Sequence, residues 1–281
     1  MTLDRPGPST RARVWTLDGE TEVRRRDSLV TEEPLEIRLS AGGRTQTVAV
    51  TMRTPGHDFE LATGFLHAEG LLPGVPHQVS YCADVERADQ QFNVVTVETE
   101  GSAPEAPMRT GIVSSACGVC GSASLNALRE RGLCRVANGP TVPVDVLYRL
   151  PDALRQAQGV FEATGGLHAA GLFTADGSLV QAREDVGRHN AVDKLVGWGV
   201  LGDRLPLSET VLTVSGRCGY EIAQKAVAAG IPVVASVSAP SSLAVAVAED
   251  FGLTLVGFLR GRRCNVYAGR ERIALPVPAA P

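Results

Sequence analysis

The sequence is poor in aromatics, poor in cysteine and without a dominant charge. Aromatic residues make up 5% of its 281 residues, so its core must be built largely from small aliphatic side chains. Six cysteines, Cys82, Cys117, Cys120, Cys134, Cys218 and Cys264, are too few for a disulfide scaffold in a chain of this length. The 27 Lys and Arg against 31 Asp and Glu leave a formal charge of −4. A protein living on a phosphate backbone is usually basic, so general nucleic-acid binding is disfavoured. Long apolar runs are also lacking. The longest, residues 226–237, is interrupted by Gly230 and Pro232 and is too short to span a bilayer, so no membrane is expected. The first residues carry no apolar stretch of the secretory type, which makes a cytoplasmic location with reduced thiols the expectation.

What is present is ordinary for a globular chain: 44% hydrophobic and 21% charged residues, with length for one large or two modest domains. Residues 1–12 are rich in Pro, Ser and Arg and read as a loose tail, as do residues 275–281. From Val14 to about Val97 short alternating runs favour strands, notably around Leu35–Leu39 and Thr47–Met52. One helix is expected over 58–70, with Asp58 as its N-cap, and another over 123–131. Farther on, strands over 168–174 and 178–184 flank Ala175-Asp-Gly177, a hairpin signal. Helices over 188–198, 219–229 and 243–251 then alternate with strands over 210–214, 231–237 and 253–259. That alternation implies an α/β fold with a parallel or mixed sheet. A smaller N-terminal α+β domain over 13–140 and an α/β domain over 141–274 are the expected division.

Three kinds of segment carry possible chemistry. The first is Cys117-Gly-Val-Cys120, set in a Gly/Ser-rich stretch before the 123–131 helix. The N-terminus of that helix favours thiolate, the form that attacks sulfur or binds metal. A zinc half-site, a dithiol redox pair and a persulfide-carrying nucleophile all fit, beside two inert thiols. Zinc wants four ligands, and no second C-x-x-C or H-x-x-x-H accompanies this pair, so no metal site is assigned and no stoichiometric zinc is expected. His67-Ala-Glu69 upstream superficially matches the deaminase pattern H-x-E with a later P-C-x-x-C, but Ala116 replaces the proline. His67 reads better as a helix-end histidine.

The second is Arg183-Glu-Asp-Val-Gly-Arg-His-Asn-Ala-Val-Asp-Lys194. If it is helical from about Val186, Val192, Leu195 and Val196 face the core, His189 and Asp193 share a face, and Asp185 caps the start. Arg188 and His189 at a helix N-terminus suit an anion, while a solvated, salt-bridged helix face suits the same residues. The third is a set of loops at strand ends, where open α/β sheets bind ligands. Ser215-Gly216-Arg217 follows one strand and Ser238-Ala-Pro-Ser-Ser242 the next. Phe258, Leu259, Arg260, Gly261, Arg262 and Arg263 follow the last, with three guanidinium groups around one glycine. Arginine grips phosphate in a bidentate manner, so a shared phosphate site is expected there.

From about Glu32 to Tyr267 the chain resembles the FdhD family, the sulfur carrier (accessory sulfurtransferase) proteins needed for formate dehydrogenase activity. The resemblance rests on Thr31-Glu-Glu-Pro-Leu-Glu-Ile, Met52-Arg-Thr-Pro-Gly, Gly64-Phe-Leu-His-Ala-Glu-Gly70, Cys117-Gly-Val-Cys-Gly and Thr164-Gly-Gly-Leu-His-Ala-Ala. It continues through Arg183–Lys194, Ser215-Gly-Arg, Ser238-Ala-Pro and Gly257–Tyr267. It implies a cytidine-deaminase-like mixed-sheet domain, a homodimer, and a role in sulfur transfer. Sulfur would come from a cysteine desulfurase, ride on Cys117 as a persulfide with Cys120 assisting, and pass to the molybdenum cofactor before insertion into formate dehydrogenase. That client, Mo-bis(molybdopterin guanine dinucleotide), brings pyrophosphates and guanines to the Arg and Gly loops. A thiol-disulfide oxidoreductase using Cys117 and Cys120 is the alternative. Cys218 and Cys264 stand where the family pattern has other residues, and inert packing is expected of both.

Overall fold

The computed structural model describes residues 5–82, 91–101 and 121–276. The chain opens with a two-stranded ribbon, β1 (Ser9–Asp18) and β2 (Thr21–Val30), paired from Ser9↔Val30 to Asp18↔Thr21. Ser9–Ala12, expected to belong to a loose tail, are therefore in a strand. Their polar composition hides a ladder whose partners come from β2 across a turn at Gly19, which holds φ 58°.

Next comes a four-stranded sheet of β3 (Glu33–Ala41), β4 (Arg44–Arg53), β5 (Gln78–Tyr81) and β6 (Val94–Thr99), in the order β4-β3-β6-β5. Leu35, Ile37 and Leu39 alternate inward and are fully buried, which is why the period-2 pattern is so plain. They pack under α1 (Asp58–Ala68) through Leu61, Ala62, Phe65 and Leu66. Asp58 is the first helical residue rather than the N-cap, which is His57 and makes no side-chain cap. Its carboxylate is drawn instead to the buried Arg53, with Nε–Oδ1 3.1 Å, and to the Tyr81 hydroxyl at 2.7 Å.

Beyond α2 (Gly121–Glu130) the chain makes the short β7 (Val142–Pro143), then α3 (Val144–Gln156) and α4 (Gly159–Thr164). The six-stranded sheet holds β8 (His168–Phe173), β9 (Leu179–Asp185), β10 (Val211–Val214), β11 (Val233–Ser236), β12 (Thr254–Arg260) and β13 (Arg263–Ala268). Its order is β13-β12-β11-β10-β8-β9. β10, β11 and β12 run parallel, while β8, β9 and β13 are antiparallel to their neighbours, so the sheet is mixed. A two-residue β14 (Ile273–Ala274) pairs with β7.

Helices cover both faces of this sheet. On one lie α5 (Arg188–Leu201), α6 (Tyr220–Ala228) and α7 (Ser242–Phe251), packed on Leu172, Leu212, Val234 and Leu255. On the other, α3 buries Val146, Leu147, Leu150 and Leu154 against Phe173, Val211, Val233 and Val256. The Pro151 inside α3 reads as a breaker in sequence, so this helix is not among those expected. Leu128 of α2 is fully buried in the first of these cores. The packing of α2 thus goes with the large sheet, although residues up to 140 were expected to belong to the N-terminal unit. No helix among the described residues is long and apolar enough to cross a membrane.

Candidate functional site: a rim of loops at the ends of the parallel strands

The ends of β10, β11 and β12 form one continuous edge. Ser238 N donates to Gly216 O at 3.4 Å, and Phe258 N donates to Ser238 O at 3.1 Å, so the three strand ends are tied side by side. On the β8 side, Ser215 N donates to Ala169 O at 3.0 Å, and Ala169 N donates to Ser215 Oγ at 2.9 Å. The Ser215 hydroxyl therefore secures the edge. Ser241, farther along the β11 loop, is the N-cap of α7 and accepts from Ala244 N at 3.2 Å. The expected gathering of the strand-end loops is thus observed.

The segment from Phe258 to Arg263 is a hairpin rather than a loop. β12 extends to Arg260, β13 starts at Arg263, and Gly261 and Arg262 make the turn. The ladder is irregular between Gly257 and Arg260, and Phe258 sits in that irregularity with φ 52°. A bulky L-residue in this region is strained, and such strain concentrates at functional positions. Here Phe258 is 42% exposed at the wall of a cavity of about 380 Å³. Arg260, Arg263 and Asn265 line the remainder. Arg260 is held by its Nε–H, which donates to Val237 O at 3.3 Å. Two of the residues expected here are elsewhere. Leu259 alternates inward and is fully buried in the core, leaving its backbone alone at the rim, and the Arg262 guanidinium lies 5.8 Å from the Tyr148 ring centroid. Asn265 was missed because it sits on the return strand, a pairing that the sequence around Arg260 does not announce.

The Arg183–Lys194 segment divides in two. Most of it joins the large sheet to the small one. Arg183 makes a bidentate pair with Glu60 of α1, with Nη2–Oε1 2.7 Å. Glu184 accepts from Val160 N and Phe161 N at the start of α4. Asp185 is fully buried, 2.6 Å from Lys194 Nζ, and accepts from Thr54 N. Asn190 Nδ2 donates to Met52 O at 2.7 Å, and Lys194 Nζ donates to Thr54 O at 3.0 Å. Asp185 does not cap α5; the N-cap is Gly187, without a side-chain bond. Val192, Leu195 and Val196 are fully buried, as their periodicity implies. His189 and Asp193 do share a face, which meets α6: His189 Nε2 is 2.9 Å from Glu221, and Asp193 Oδ1 is 2.7 Å from Lys225 Nζ. Burial pushes the Asp193 carboxyl up to about 6 even beside that ammonium.

The remainder of the segment faces the rim. Arg188 and His189 stand beside Arg217 and His168, the first residue of β8. His168 was not among the expected site residues, because its place next to the Ser215–Arg217 loop follows from the antiparallel pairing of β8 with β10. Burial, then Arg188, His189 and Arg217, hold its imidazole below the ordinary histidine value.

Cys117 and Cys120 lie outside the described residues. Cys218 is fully buried in the core, and burial pushes its thiol up to about 12, in keeping with the inert packing expected of it. Cys264 is partly buried against the α3 core and is likewise pushed up by burial. His67 ends α1 with its Nε2 3.0 Å from Ala228 O. Among the described residues no cluster of three His, Cys, Asp or Glu side chains is placed to hold a metal ion.

Comparison with known proteins agrees with this architecture. A solved structure of a Desulfotalea psychrophila protein assigned as a formate dehydrogenase accessory protein superposes with a TM-score of 0.72 at 24% identity, covering 95% of this chain and 99% of the other. At that identity the likeness concerns the fold. A protein of Streptomyces avermitilis named sulfur carrier protein FdhD is 54% identical over 271 residues, 94% of each chain. Proteins of the same name from Nocardia farcinica and Sulfurisphaera tokodaii are 50% and 44% identical, each over 94% of this chain and 95% and 98% of their own. With the FdhD/NarQ family model matching residues 30–274 as well, the chain belongs to the FdhD/NarQ family.

Proposed function

We propose that this chain is a sulfur carrier that takes persulfide sulfur from a cysteine desulfurase and delivers it to Mo-bis(molybdopterin guanine dinucleotide) before that client enters formate dehydrogenase. The observation that carries the client-binding half is the strained, exposed Phe258 in a cavity walled by Arg260, Arg263 and Asn265. An aromatic face suits a guanine, and two guanidinium groups beside it suit the attached phosphates. The sulfur half is supported by the name its relatives share and by the Cys117–Cys120 pair. In the transfer step the Cys117 thiolate attacks the outer sulfur of the desulfurase persulfide. The new S–S bond forms on Cys117 as the old one breaks, and the electron pair leaves with the desulfurase thiolate. The same reading takes the protein as a cytoplasmic homodimer and its larger sheet as a cytidine-deaminase-like domain.

Two measurements test it. Calorimetry with guanosine diphosphate should give binding that R260A and R263A each weaken by about tenfold or more, the loss expected for a charge-assisted hydrogen bond. Unchanged affinity in both variants would remove the site assignment. Incubation with a cysteine desulfurase and cysteine should add one reducible sulfur to the intact mass. Cys117→Ala should lose that sulfur and Cys120→Ala should retain at least part of it; the opposite pattern would move the nucleophile to Cys120.

A further inference from the structure

The rim carries a second cationic group that the Phe258 cavity does not use. Gly216 packs directly on it: a Cβ there would stand 3.3 Å from His168 Nδ1 and 4.0 Å from Arg188 Cδ. Arg188 Nε is shut off from water and has no hydrogen-bond partner among the described residues, a condition that calls for a ligand or an ordered water. The nearby carboxylates are engaged elsewhere. Asp185 holds Lys194 at 2.6 Å and accepts from Gly187 N and Asn190 Nδ2, and Glu221 is 2.9 Å from His189 Nε2. The first turn of α5, without a side-chain cap, adds its partial positive charge at the same end. β8, β10, β11 and β12 are successive neighbours, so at about 4.8 Å per strand roughly 14 Å separates the strand of His168 from that of Phe258. One diphosphate group cannot serve both places.

We propose that His168, Arg188 and Arg217 form a second phosphate-binding subsite, separate from the Phe258 cavity, and that His168 takes up a proton from solvent when a phosphate group docks. The inference rests on reading the rim as a phosphate-binding edge. In the free protein burial, then Arg188, His189 and Arg217, hold the imidazole below its ordinary value, with Asp185 acting against them. A phosphate dianion at this place reverses the balance, because an adjacent opposite charge favours the protonated ring. The imidazole gains one proton, and no other bond forms or breaks. Binding at this subsite therefore weakens as pH rises through the raised value of the bound state, and the same proton uptake is not expected at the Phe258 cavity.

The test uses the full chain, inorganic pyrophosphate as the probe, and ¹H–¹⁵N NMR of the histidine rings across pH, with the His168 signal identified by its loss in H168Q. Without pyrophosphate its midpoint should lie below the ordinary 6.5. With saturating pyrophosphate it should rise by roughly one pH unit or more, and the rise should persist in the R260A/R263A double variant. R217A removes an exposed side chain, so it tests the subsite even if H168Q does not fold, and it should weaken pyrophosphate binding in the double-variant background by about tenfold. A His168 midpoint unmoved by pyrophosphate, a rise that vanishes in R260A/R263A, or an R217A variant that binds as before would overturn the subsite. Guanosine diphosphate that binds at the Phe258 cavity while saturating pyrophosphate leaves His168 unmoved would sink this inference alone. A protein that binds no guanosine diphosphate at all would sink the client reading beneath it.

Discussion

Phe258 pairs backbone strain with exposure, and the two effects of replacing it should separate. Its φ of 52° costs a non-glycine residue about 1 kcal/mol, which offsets part of the burial lost when a residue that is 42% exposed is truncated. Phe258→Gly should therefore lower unfolding stability by only about 1–2 kcal/mol in denaturant titration, while weakening guanosine diphosphate binding in calorimetry. A loss of about 3 kcal/mol or more, as for a core phenylalanine, would mean the ring is a packing residue. At the same scale the cysteines differ by environment. Cys218, fully buried with its thiol pushed up to about 12, should resist alkylation at pH 8 in the folded protein, while the exposed Cys134 should react; intact-mass spectrometry reads both.

Between elements, the decisive contact is the crossing of α1 and α5. A Cβ on Gly64 would lie 1.9 Å from Asp193 O, and one on Gly197 would lie 1.8 Å from Glu60 O. Both obstacles are backbone, so neither can swing aside and the helices would have to separate. Gly64→Ala and Gly197→Ala should each cost about 1–3 kcal/mol in chemical unfolding. Gly159→Ala, with nothing within 4 Å of the added carbon, should stay within about 0.5 kcal/mol of the parent. The crossing matters beyond stability. It fixes α1 against α5, and α5 carries Arg188 and His189 to the rim.

At the level of the whole molecule the two sheets are joined by buried charge, which makes the joint sensitive to acid. Burial pushes the Glu60 carboxyl up, but the hydrogen bonds from Arg183 and His57 outweigh it and hold the group below its ordinary 4.5. A depressed carboxyl stabilises the fold above its unfolded value and ceases to do so as pH falls through the folded one. Asp193 acts in the opposite sense, since its raised value lets protonation favour the fold below about pH 6. Stability should thus hold through mild acid and fall below about pH 4.5. Glu60→Gln should lower stability at pH 7 by about 1.5–3 kcal/mol and flatten that acid loss, measured by thermal unfolding across pH. An acid limb unchanged in the variant would place the sensitivity elsewhere.

The elements of the large sheet were legible because their cause is local. Val211–Val214 and Val233–Ser236 are short apolar runs closed by turn residues, and the helices between them repeat their apolar positions at the helical period. The strand-end loops followed from that order, and so did the expectation that Ser215, Arg217 and Arg260 lie along one edge. α3, β1 and the β12–β13 hairpin were not legible. In each, a proline or a run of polar residues gives one local signal, and a pairing or packing partner elsewhere in the chain overrules it. The Arg183–Lys194 segment shows the division most clearly. Its residue types establish that charge is concentrated there, but not which charges are buried. Glu60, Thr54 and Met52, more than 120 positions away, claim Arg183, Lys194 and Asn190, while Arg188 is left beside His168 at the rim. Periodicity is a property of neighbours along the chain and can be read from them. The fate of a charge depends on which dipoles and counter-charges the fold brings within hydrogen-bond reach, and that is decided by the tertiary structure.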